Sequence, residues 1–72
     1  MALSKVKKGK VVSVVSLDVD TRVLGKLSSL GLVPGAKISV VHNGLYGACV
    51  VGCRGSRFVL GRGLANIIHV TE

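Results

Sequence analysis

Only two aromatic side chains occur in these 72 residues, Tyr46 and Phe58, and there is no tryptophan. That poverty argues against a single-stranded nucleic-acid platform, which works by stacking bases on aromatic rings. Acidic residues are equally scarce: Asp18, Asp20 and Glu72 are the whole set. A hydrolase that needs paired carboxylates has nothing to build with. A Ser-His-Asp set has only Asp18 as an orienting acid once Asp20 is read as a helix cap. The expectation is a protein that is not an enzyme.

Phosphate loops and cofactor signatures are also missing. No G-x4-G-K-[ST] run is present. Gly61-Arg62-Gly63-Leu64-Ala65-Asn66 begins like G-x-G-x-x-G but ends on Asn66, and no βαβ unit fits around it. No cofactor is expected. No apolar run approaches the roughly 20 residues of a membrane span. Lys5, Lys7, Lys8 and Lys10 ahead of the valine-rich stretch 11–17 have the look of a signal peptide. Two serines break the run, however, and no small-residue cleavage site follows.

With just two cysteines the chain holds no disulfide framework, and a reducing, cytoplasmic compartment is expected. Cys49 and Cys53 are spaced C-x3-C. On one strand they face the same way but stand ~13 Å apart. That is too far for one metal or one disulfide unless Gly52 carries a sharp bulge. His42 and His69 add no close spacing. These four are the candidates for metal; the bland reading is small core cysteines and strand-end histidines, and no metal site is expected.

What is present in excess is positive charge and aliphatic bulk. Ten basic residues give a net charge of +7, and mean hydropathy is +0.61. Such a field attracts nucleic acid, an anionic leaflet or an acidic protein face; it also keeps an apolar chain soluble. At this length one domain spans 1–72, with 1–9 as a loose basic lead-in. Alternation and turn residues predict strands over 10–17, 36–42, 48–54, 57–60 and 67–70, and a helix over 21–30. The first strand reads as apolar on nearly both faces, as if central. Gly61 to Ala65 reads as an irregular or 3-10 turn. The fold class is mainly β: a small five-stranded barrel with one helix after the first strand. Short edge strands make self-association a candidate property.

The tightest stretch runs from Leu27 to Val40. Val23, Leu24, Leu27 and Leu30 form a helical stripe, Gly31 sits where a helix takes a left-handed residue, and Leu32 can fold back over the last turn. Pro34-Gly35 suits a type II turn. Gly55-Ser56 predicts a type II′ hairpin turn, which would set Arg54 directly across from Arg57, with Arg62 close by. Such a cluster could grip an anion or acidic loop. Arg22 and Lys26 form an i, i+4 basic pair on the helix, and Tyr46 lies in a glycine-rich loop. These six residues are the candidate partner-binding set; the bland alternative is solvated charge.

The pattern L-x-x-L-G-L-x-P-G-x-x-I-x-V at Leu27 to Val40 resembles the FeoA family. So does the tail: Gly55, Leu60-Gly61-Arg62, then Leu64-Ala65-Asn66-Ile67-Ile68-His69-Val70. The chain is similar also to the SH3-like domain of some iron-dependent repressors. The resemblance implies an SH3-like barrel and a cytoplasmic, non-enzymatic partner of FeoB, the ferrous iron transporter with a cytoplasmic G-protein domain. The loop Asn43-Gly44-Leu45-Tyr46-Gly47 departs from many relatives in lacking a proline. Two other readings stand beside it: a small basic nucleic-acid-binding barrel, and a transition-metal-binding protein.

Overall fold

The computed structural model of the chain describes residues 1–44 and 47–72. A 3-10 turn over Leu3–Lys5 leads into strand β1 (Val11–Leu17) and helix α1 (Thr21–Ser29). Strands β2 (Lys37–Asn43), β3 (Cys49–Cys53) and β4 (Ser56–Leu60) follow, then helix α2 (Arg62–Ile67) and strand β5 (Ile68–Thr71). The strands make one antiparallel sheet in the order β4-β3-β2-β1-β5. Register shifts between Val14 and Ser16 and between Val40 and His42 interrupt its ladders. Each such bulge bends its strand, and the sheet closes over a single apolar core. Val12 and Val14, Ile38 and Val40, Val51 and Val70 point inward and are at most 2% exposed.

The five predicted strands and the helix after the first strand are present, and the fold class holds. Four details differ. β1 is not apolar-buried on both faces: Val11 and Val15 are 61% and 53% exposed, because the sheet buries only its inner face. Gly61 to Ala65 is not an irregular turn but the start of α2. Residues 1–9 are not a loose lead-in. Leu3 and Val6 are buried in the core, the Met1 ammonium donates to the Val70 carbonyl at 2.9 Å, and the Val70 N–H donates back to the Met1 carbonyl at 2.8 Å. Lys5, Lys7, Lys8 and Lys10 masked an underlying apolar pair, Leu3 and Val6, whose i, i+3 spacing suits one tight helical turn. Of the helical stripe, finally, only Leu27 is buried, while Leu24 and Leu30 are 38% and 41% exposed. α1 meets the core through Leu27 and the half-buried Val23 and turns Leu24 and Leu30 toward solvent.

Candidate functional site

Helix α1 is fixed at both ends by its own sequence. The Val23 N–H donates to Asp20 Oδ1 at 2.9 Å, satisfying one of the open donors of the first turn. At the other end the Gly31 N–H donates to the Ser28 carbonyl at 2.9 Å and the Leu32 N–H to the Leu27 carbonyl at 2.9 Å. Gly31 has φ +91°. This pair of bonds around a left-handed residue is the Schellman motif, and it drives Leu32 into the core with no exposed surface. The Pro34-Gly35 turn follows as expected, with Gly35 at φ +91° and the Ala36 N–H donating to the Val33 carbonyl at 3.0 Å.

Against that helix end lies the β3–β4 hairpin. The register pairs Cys53 with Ser56 and Gly52 with Arg57. The two-residue loop is therefore Arg54-Gly55, not Gly55-Ser56. Both loop residues have positive φ, 53° for Arg54 and 81° for Gly55. That is type I′, whose twist matches the flanking strands. Arg54 thus sits at the tip of the turn and Arg57 one step along β4 opposite Gly52, so the expected direct cross-strand pairing of the two arginines does not occur. They still share one surface. Arg54, Arg57, Ser39 and Gly52 line a shallow groove of about 310 Å³ on the outer face of the sheet. A Cβ on Gly31 would come within 3.3 Å of Arg54 Cδ, and Cys53 Sγ lies 3.8 Å from the Gly31 carbonyl oxygen. The helix C-terminus and the hairpin tip are packed together.

Arg22 and Lys26 are exposed on α1, so the helix adds cationic groups to the structure that carries the Arg54 tip. Arg62 does not join them. It follows β4 at the other end of the β3–β4 ladder, half-buried, and donates from one guanidinium nitrogen to the Gly44 carbonyl and to Asn43 Oδ1. Asn43 in turn donates to the Ser4 and Val6 carbonyls at 2.9 and 2.6 Å. Arg62 is a tether between α2, the end of β2 and the N-terminal segment. The expectation for Tyr46 lies outside the described residues.

The metal candidates are separated. Cys49 and Cys53 are free thiols buried on the inner face of β3, whereas His42 and His69 are exposed on β2 and β5. Among the described residues no group of three or more His, Cys, Asp or Glu side chains is placed to hold a metal ion. Burial pushes the Cys49 thiol up from its usual range, with the Arg62 charge partly opposing. Sequence reasoning missed Lys37 and Val59. Lys37 lines a neighbouring hollow with Arg54, and Val59, at 70%, is the most exposed large aliphatic among the described residues. The alternation Phe58-Val59-Leu60, with Leu60 buried, was the available signal for Val59.

This geometry can be set beside known proteins. The FeoA domain profile matches residues 1–72. The chain belongs to the FeoA family. It is 33% identical over 70 residues to a candidate Fe(2+) transport protein A of Methanocaldococcus jannaschii, covering 97% of this chain and 84% of that one. A crystal structure of an iron uptake regulatory protein (FeoA) superposes with a TM-score of 0.89 at 34% identity, covering 97% of this chain and 93% of the other. Stenotrophomonas maltophilia FeoA, crystallised with zinc and described as an SH3-domain protein, gives 0.83 at 25% identity, covering 99% and 89%. The five-stranded sheet described above is therefore of the SH3-like type.

Proposed function

We propose that this chain is a non-enzymatic accessory of ferrous iron uptake, working in the cytoplasm by docking on the G-protein region of a FeoB-type transporter. Family membership makes it an accessory component of Fe(2+) transport. The observation that supports docking is the surface where the α1 C-terminus packs on the Arg54 hairpin tip, flanked by Arg57 and Lys37. Its effect on the transporter would come from binding one conformation of the G-protein region more tightly than another. No described helix is long and apolar enough to cross a membrane; in this reading the chain reaches the membrane through its transporter partner.

The charge also favours this reading over chemistry within the domain. Arg62 turns inward to Asn43 and Gly44, whereas Lys37, Arg54 and Arg57 are exposed, where they can recognise a face. The test is a calorimetric titration of the purified chain against the cytoplasmic region of the transporter. Wild type should bind, and the Arg54→Glu/Arg57→Glu double variant should lose at least tenfold in affinity. Equal binding by the variant would remove the hairpin from the docking face; no binding by wild type would overturn the reading.

A further inference from the structure

The sheet has two edges, and the chain treats them differently. β5 is covered: Met1 exchanges backbone hydrogen bonds with Val70, and Ala2 bridges His69. β4 is the other end of the strand order, and among the described residues no strand pairs along its outer side. Because a two-residue turn closes with a hydrogen bond between its flanking residues, Cys53 and Ser56 form a hydrogen-bonded pair. The alternation of an antiparallel ladder then directs the backbone groups of Ser56, Phe58 and Leu60 to β3 and those of Arg57 and Val59 outward. Natural edges are blunted by short length, charged side chains, bulges or proline, and of these β4 has its five-residue length and the exposed Arg57. β4 pairs with β3 without a register shift and contains no proline. Val59 stands 70% exposed on it.

We propose that the open edge of β4 is a strand-addition site for an extended acidic segment of a partner protein. The idea rests on the docking reading above and names the part of the surface used. Main-chain pairing with Arg57 and Val59 supplies affinity, and side chains on the outer face supply selectivity. That face is cationic and apolar together: Arg57 on the edge strand, Arg54 at the hairpin tip, and Val50 laterally paired with Val59. A segment alternating acidic and aliphatic residues puts carboxylates beside Arg57 while its aliphatic side chains continue the surface started by Phe58, which packs on the core. A second copy of this chain is the poorer occupant, since it would bring a second +7 charge to the same edge.

The test uses the full chain and a blocked seven-residue peptide of alternating Glu and Val, with a Lys and Val peptide as control, followed by amide hydrogen exchange. At 1 mM the acidic peptide should slow exchange at Arg57 and Val59 at least tenfold and leave Ser56 and Phe58 unchanged. The basic peptide should do nothing. Val59→Pro removes an N–H that points away from β3, while also fixing φ and replacing the valine side chain, and should weaken acidic-peptide binding tenfold or more; Arg57→Glu, which keeps the backbone, should weaken it at least fivefold. Unchanged exchange at Arg57 and Val59 with the acidic peptide, or equal effects of both peptides, overturns the proposal. Protection of those amides in the chain alone, with a dimer in sedimentation, assigns the edge to self-pairing and overturns the acidic occupant. None of these readouts involves the transporter, so this proposal and the docking reading fail separately.

Discussion

The same substitution should act with opposite sign at two glycines six positions apart. Gly25 lies inside α1, exposed, and a Cβ built there meets nothing within 4 Å. Alanine at this site removes the helix penalty of glycine, about 1 kcal/mol. Gly31 has φ +91°, and its Cβ would press on Arg54 Cδ at 3.3 Å. Alanine there costs roughly 1–2 kcal/mol for the left-handed backbone alone, and the Arg54 stem must also shift. A domain of 72 residues is stable by roughly 4–11 kcal/mol, so both effects are measurable. At roughly 4–8 °C per kcal/mol for a small domain, Gly25→Ala should raise Tm by about 4–8 °C and Gly31→Ala should lower it by about 4–16 °C. Thermal and urea unfolding followed by circular dichroism give both values, and the double variant should equal the sum within ~0.5 kcal/mol. If Gly31→Ala stabilises, or if the two variants move together, then the helix does not end in the motif described and the packing of helix end on hairpin is wrong.

Other perturbations follow from the same contacts. Leu3→Ala should cost about 2–5 kcal/mol by urea unfolding, because Leu3 is fully buried; a change below ~0.5 kcal/mol would restore the picture of a loose N-terminus. Arg54→Asn should stabilise by up to ~1 kcal/mol, since asparagine tolerates positive φ better, while weakening partner binding in the same titration. Gain in both would separate the arginine from docking. Because burial raises the Cys49 thiol in the folded state, the unfolded chain loses that proton first as pH climbs. Stability should therefore fall above about pH 9, with a shallower fall in Cys49→Ala measured by urea unfolding at pH 7 and pH 10; an identical slope would place the titration elsewhere.

The strands and the helix were legible because each local signal agreed with its neighbours. Asp20, Gly31 and Pro34-Gly35 mark their corners through backbone chemistry that does not depend on the rest of the fold. The hairpin was misplaced by one residue because glycine serves either central position of a primed turn, and only the strand register decides between them. The N-terminal turn was hidden behind lysines, whose charge says nothing about Leu3 and Val6 beneath them. The arginines divided in a way no spacing reveals. Arg54 and Arg57 remain on one face, while Arg62 is drawn to the Gly44 carbonyl at the far end of the ladder. Exposure of Leu24 and Leu30 was equally invisible, since helical periodicity finds a stripe but not how much of it the core has room for.

Docking through the helix end and the hairpin is tested most directly by a two-dimensional amide NMR titration of the labelled chain with the cytoplasmic region of the transporter. Shifts or broadening should concentrate at Gly31, Arg54 to Arg57 and Val59, with β5 and residues 1–6 undisturbed. Perturbation centred on β5 and the N-terminal turn, or an unchanged spectrum at saturating partner, would contradict that docking.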